Sequence, residues 1–160
     1  MAWIAAYQAG YEDGWRLFPD ARPVLDRLRA RGDLRLGVVT NGESDLQRQK
    51  LDALGITAYF DVVVVSGDHG WAKPDRRIFE HAVAGVGVPA DRCFFVGDRL
   101  DADVAGATAA GLRAVWLNRS GARPAPGAAP ASSIPSLEAL VTLVGAPVSP
   151  TTPPGPAPAA

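Results

Sequence analysis

Cysteine is almost absent from this chain of 160 residues: Cys93 stands alone, so no internal disulfide can form. Its place inside an apolar run reads as a buried structural thiol and fits a reducing cytoplasm. Histidine is as scarce, with His69 and His81 only, and neither has a second ligand at metal-binding spacing. No stretch reaches the roughly 18 apolar residues that a membrane span needs. Residues 1–15 hold neither Lys nor Arg, and no apolar core of signal length. Nor is there an excess of one charge: 16 basic and 17 acidic residues are interspersed, for a net charge of −1. That balance argues against nucleic acid or an anionic membrane as a partner. No internal repeat is present.

What the chain has is a series of short apolar runs, in a length that suits one domain. Trp3, Tyr7, Tyr11 and Trp15 recur every fourth residue and predict a helix with one aromatic stripe, weakened by Gly10 and Gly14 and ended by Phe18-Pro19-Asp20. A helix is expected over 21–30, with Val24, Leu25 and Leu28 on one face, and an almost wholly apolar strand over 34–39. Ser44 reads as the cap of a helix carrying Leu46, Leu51 and Leu54. The alternation repeats with a strand over 62–65, a helix from Asp75 to about Gly85, a strand over 93–96, a small-residue helix over 101–110 and a strand over 114–117. Strands alternating with helices predict parallel pairing, right-handed crossovers and an open three-layer α/β sheet. Beyond Gly121 the composition shifts to Ala, Pro, Gly and Ser. One amphipathic island, Ile134 with Leu137, Leu140, Leu143 and Val144, is expected to add a last strand and helix. Residues 145–160 read as a disordered Pro/Ala-rich tail.

Polar residues fall where such sheets bind ligands, at the carboxyl ends of strands. Thr40, Asn41 and the N–H groups around Gly42 form a donor cluster fit for a phosphate oxygen, with a helix N-terminus behind it. Lys73 follows the next strand by a loop and reaches the same rim as a point charge. Asp98 ends a further strand and is the kind of oxygen ligand Mg²⁺ prefers. Each group also has a plainer reading alone. Thr-Asn-Gly makes a turn, Lys-Pro-Asp starts a helix, and Asp98, Asp101 and Asp103 offset a helix dipole. Their joint occurrence, each after a predicted strand, favours function. Trp71 and Trp116 read as packing, the first under the loop that precedes Lys73.

The three strings Leu36-x-Val38-Val39-Thr40-Asn41-Gly42, Lys73-Pro74-Asp75-x-x-Ile78-Phe79 and Phe94-Phe95-Val96-Gly97-Asp98 through Asp103 to Gly111 resemble the second, third and fourth motifs of the haloacid dehalogenase-like (HAD) hydrolase superfamily. The resemblance covers roughly residues 17–119 and, more weakly, the chain to 144. It implies a Rossmann-like parallel sheet with a mobile cap inserted after the first strand, and a Mg²⁺-dependent phosphatase working through a phosphoaspartate on a small phosphorylated metabolite. It further implies that Thr40 and Asn41 hold the phosphoryl group, that Lys73 neutralises its charge, that Asp98 binds Mg²⁺ and that Asp103 positions the metal's surroundings.

The departure from that family is the first motif, the Asp-x-Asp that supplies nucleophile and general acid. No acid upstream of Thr40 stands at the end of an apolar strand: Glu12 and Asp13 fall in the aromatic segment, Asp20 at its exit, Asp26 in a helix and Asp33 in a turn. Loss of a nucleophile costs on the order of 10⁴ to 10⁶ in rate, so the isolated chain is expected to be inactive. The sheet is expected to be incomplete as well, lacking its first central strand and most of the cap, with two apolar strands left to pair together or stay open. On this reading residues 1–17 are a remnant of a cap or linker helix, and 18–144 are a partial core domain. The chain is then the C-terminal part of a longer protein, open to self-association or to an N-terminal complement. Two other functions stay open: a non-catalytic protein that binds phosphate or a partner, and a metal-free 2-haloacid dehalogenase, against which the acids at 98 and 103 weigh.

Overall fold

A computed structural model describes residues 2–5, by their backbone alone, together with 14–125 and 130–145. In chain order it runs β1 (Ala2–Ala5), α1 (Ala21–Ala30), β2 (Arg35–Thr40), α2 (Ser44–Ala53), β3 (Val62–Val65), α3 (Arg76–Val86) and β4 (Cys93–Gly97). A π turn (Leu100–Val104) leads into α4 (Ala105–Ala109), and β5 (Arg113–Leu117), β6 (Ser133–Ile134) and α5 (Glu138–Gly145) complete it. All six strands are parallel, in the order β3-β2-β1-β4-β5-β6. This is the expected α/β sheet.

Both faces are covered, which is why the strands are apolar runs and not alternating ones. On one face α1 and α5 bring Val24, Leu28, Leu140 and Val144 onto Leu36, Phe94, Val96 and Val115. Beside them α2 packs Leu51 onto Val38, with Leu54 and Ile56 just beyond. On the other face Ile78, Phe79, Ala82 and Val86 of α3 join Ala107 of α4 over Val39, Val64, Cys93 and Phe95. Burial in this layer pushes the Cys93 thiol up to about 11, the mark of an inert thiol. Asp75 caps α3 by accepting the Arg77 N–H at 3.0 Å. The Arg77 guanidinium and N–H together pull its carboxyl down to about 2. Among the described residues no helix is long and apolar enough to cross a membrane.

The structure corrects the aromatic helix. Ala2–Ala5 is a strand, paired through Ala2 with Arg35 and Cys93 and through Ala5 with Val38 and Val96. The rest of that stripe up to Asp13, like the expected tail beyond 145, lies outside the described residues. The slot between β2 and β4 is therefore filled, so the predicted pair of open apolar edges at the sheet centre is absent. The physical reason is tertiary: two facing ladders of unpaired N–H and C=O groups outweigh a helical spacing already weakened by glycine. The strand that fills the slot is Ala-Trp-Ile-Ala and carries no acid. Two smaller corrections concern helices. Leu46 is 44% exposed, so the buried edge of α2 begins at Leu51. The helix expected over 101–110 opens instead with the π turn, where the N–H groups of Asp103 and Val104 both donate to Arg99 O at 2.9 and 3.1 Å. That wide turn swings Asp103 inward, a common use of π geometry at functional sites.

Candidate phosphoryl-binding site

Parallel strands bring their carboxyl ends to one rim, and β2, β3 and β4 end there in Thr40, Val65 and Gly97. The buried Thr40 hydroxyl donates to Gln47 Oε1 at 2.9 Å, across the first turns of α2. Asn41 leaves the sheet and turns both ends of its carboxamide to the backbone of Lys73. Its Nδ2 donates to Lys73 O at 3.0 Å, and its Oδ1 accepts the Lys73 N–H at 2.9 Å. The Gly42 N–H donates to Ser66 Oγ at 2.9 Å, and Gly67 N–H donates back to Gly42 O at 3.0 Å. The loops after β2 and β3 are thus stitched together along the rim.

Lys73 lies beneath this seam with its side chain only 8% exposed. Its ammonium donates to Val39 O at 3.0 Å and stands 2.8 Å from Asp103 Oδ1, whose side chain is 3% exposed. Oδ1 has no other partner and no well-aligned hydrogen bond, so the contact is ionic. The second oxygen, Oδ2, accepts the Arg99 N–H at 3.1 Å. Asp103 comes so close to β4 that a Cβ on Gly97 would lie 2.4 Å from its Cβ and Cγ, which explains glycine there.

Asp98 follows Gly97 and forms no ion pair among the described residues. Burial raises its carboxyl above the ordinary carboxylate value, the neighbouring Asp103 raises it further, and Lys73 and Arg99 offset part of this. Its backbone carbonyl accepts the Trp116 indole N–H at 2.9 Å, so Trp116 does more than the packing its sequence suggested. Among the described residues no group of three or more His, Cys, Asp or Glu gathers in a way that could hold a metal.

All six residues singled out from sequence therefore meet at one rim: Thr40, Asn41 and Gly42 on one loop, Lys73 on the next, and Asp98 and Asp103 after β4. Three partners were missed, namely Gln47, Ser66 and Trp116. Ser66 directly follows a predicted strand, so the carboxyl-end rule applied to the 62–65 run would have found it. Gln47 had a weaker signal, its position in the first turn of a helix that starts beside Thr40. His69 and His81 are in ring contact with centroids 4.4 Å apart, and Trp71 stacks on His69 at 4.6 Å. Trp71 also packs against the core, as expected.

The haloacid dehalogenase-like hydrolase family profile matches residues 4–111. Phosphoserine phosphatase of Thermus thermophilus is 45% identical over 108 residues, which are 68% of this chain and 43% of that protein. Among solved structures, the HAD phosphatase of Thermococcus onnurineus superposes with a TM-score of 0.75 at 36% identity, over 81% of this chain and 59% of that one. A 2-haloacid dehalogenase of Pseudomonas syringae pv. Tomato superposes at 0.71 with 34% identity, over 81% and 54%. The chain spans about half the length of the curated relatives it matches.

Proposed function

Because this chain belongs to the haloacid dehalogenase-like hydrolases, we propose that its rim is the phosphoryl-binding part of a Mg²⁺-dependent phosphatase for small phosphorylated metabolites. One observation carries the reading: a nearly buried lysine, fixed by Val39 O and Asp103, faces a rim with a hydroxyl, backbone N–H groups and the exposed carboxylate of Asp98, which forms no ion pair among the described residues. Thr40 would turn its hydroxyl from Gln47 Oε1 to a phosphoryl oxygen, Gly42 N–H would do the same from Ser66 Oγ, and Lys73 would offset the phosphoryl charge.

Asp98 suits a divalent cation. Its carboxylate is desolvated beside a second acid, so its ionised form is disfavoured until a positive charge arrives. Asp98 would hold Mg²⁺, and Asp103, its oxygens already taken by Lys73 and Arg99 N–H, would fix the surroundings without being the main ligand. When bound, the ion would supply charge neutralisation to the phosphoryl group. The same paired acids disfavour the metal-free dehalogenase reading, since a halogenated acid brings no need for a cation.

The carboxylate that would attack phosphorus has no counterpart in β1, which is acid-free. The reading therefore separates binding from turnover: the 160-residue chain binds phosphate and Mg²⁺ and does not hydrolyse p-nitrophenyl phosphate. Relatives named as phosphatases for phosphoserine, pyrimidine nucleotides and glyceraldehyde 3-phosphate support small phosphorylated substrates as a class. The test is p-nitrophenyl phosphate hydrolysis with Mg²⁺, next to calorimetric titration of the same chain with Mg²⁺ and phosphate. Binding without turnover is expected. Turnover abolished by Asp98→Ala would mean that an acid of this chain is the nucleophile, and absence of both binding and turnover would overturn the site.

A further inference from the structure

Asn41 ends β2 beside Thr40 and invites assignment as a phosphate ligand. Its side chain is committed elsewhere. A carboxamide has an oxygen and an NH₂ group, and each turns to the same residue, the oxygen accepting Lys73 N–H at 2.9 Å and the NH₂ donating to Lys73 O at 3.0 Å, which fixes the plane of the amide against the lysine loop. The pattern is that of one rung of a sheet ladder, with a side chain standing in for a strand.

We infer that Asn41 is a positioning residue for Lys73, and that its carboxamide serves phosphate binding only by fixing the lysine loop to the β2 rim. The inference rests on the phosphoryl-site reading above. Three further contacts support it. Gly67 N–H donates to Gly42 O and Gly42 N–H donates to Ser66 Oγ, so the seam between the two loops continues into the residue after Asn41. A Cβ on Gly67 would meet Gly42 O at 2.8 Å and Ser44 N at 2.9 Å, so the loops already touch backbone to backbone. The Lys73 ammonium reaches under this seam to Val39 O, two residues before Asn41. The backbone and the ammonium of Lys73 are thus tied to the same strand end, and the backbone tie runs through Asn41, which can be replaced while the lysine is kept.

The test uses the full chain and tungstate, an inert phosphate mimic, by titration calorimetry. Asn41→Leu removes both hydrogen bonds at similar size and should weaken tungstate about tenfold, the scale of two ordinary hydrogen bonds. The same substitution is then made in a Lys73→Met/Asp103→Asn background, where no buried charge is left alone. There it should change tungstate affinity by less than twofold, because the lysine it acts through is gone. An equal loss in both backgrounds would make Asn41 a direct ligand and overturn the inference. An unchanged affinity on going from the parent to the Lys73→Met/Asp103→Asn background would instead overturn the role given to Lys73. No tungstate binding by the parent would remove both.

A second measurement is independent of that background. Amide exchange at Lys73 N–H should speed up at least about tenfold in Asn41→Leu and return toward the parent rate in Asn41→Asp, which restores the acceptor. Exchange unchanged in Asn41→Leu would refute the clamp.

Discussion

Replacing Lys73 by Met offers the sharpest test of the site's electrostatics. In the folded chain Asp103 is 3% exposed at its side chain, with Oδ1 facing only the Lys73 ammonium at 2.8 Å and Oδ2 holding the Arg99 N–H. Methionine is close to lysine in volume and length, so packing changes little while the cation disappears. The remaining carboxylate is then buried with one oxygen unsatisfied. Breaking a buried pair from one side costs about 3–5 kcal/mol. At a urea m-value of about 2 kcal/mol/M, that lowers the unfolding midpoint by about 2 M. Adding Asp103→Asn removes the stranded charge while its amide oxygen can still accept from Arg99 N–H, so the double variant should recover most of the loss, to within about 2 kcal/mol of the parent. Urea unfolding followed by tryptophan fluorescence at neutral pH reads all three proteins. A Lys73→Met midpoint within about 0.5 M of the parent, or a double variant no more stable than the single one, would mean that the charges are solvated in solution and would refute the buried-pair reasoning.

Other substitutions probe the neighbouring groups. Asp98 has a carboxyl raised by burial in the fold, so its neutral form favours folding. Its contribution is fully present below the ordinary carboxylate pKa and is lost as pH rises through the raised value; Asp98→Asn should therefore raise the Tm of the metal-free chain at pH 7, not at pH 3, and abolish stabilisation by Mg²⁺. Gly97→Ala places a methyl 2.4 Å from Asp103 and should cost about 3 kcal/mol in urea unfolding, with loss of Mg²⁺ binding. Asp20 accepts two hydrogen bonds from Arg119, both at 2.9 Å, and one from Leu137 N–H at 2.8 Å. Asp20→Ala should cost about 2 kcal/mol and accelerate amide exchange through α5.

The particular residues show what a sequence of this kind reveals. Strand 62–65 and helix 21–30 coincide with the predicted ranges because their signals are local: four valines between turns, and Val24 with Leu28 ahead of a glycine. The rim residues were legible for the same reason, since each stands directly after an apolar run and parallel pairing alone collects them. Ala2–Ala5 was not legible, because what makes it a strand lies in Arg35–Val38 and Cys93–Val96, the two ladders on either side. The π turn was hidden likewise. Asp101 to Ala110 has ordinary helix composition, and its first turn is wide where Asp103 meets Lys73. The tie between Asn41 and Lys73 was not legible, because Lys73 lies 32 residues away and residue type alone does not point to a distant backbone.

The described contacts also bear on why such a rim can exist beside an acid-free central strand. Thr40 is held by Gln47, Gly42 by Ser66 and Gly67, Lys73 by Asn41, Val39 and Asp103, Asp103 by Arg99 N–H, and Asp98 by Trp116. Each of these partners lies on β2, β5 or the segments that follow β2, β3 and β4. What Ala2–Ala5 supplies is a ladder of backbone pairs that sets the spacing of β2 and β4. On the proposed reading, the residue at the end of β1 would decide whether an attacking group is present, while the rim residues on the neighbouring segments would hold the anion. Binding and turnover are consequently separable in this architecture. Substitutions in β1 that keep its pairing, such as Ile4→Val, should leave tungstate affinity within about twofold of the parent, whereas Ile4→Pro, which removes a ladder hydrogen bond at the sheet centre, should weaken binding and stability together.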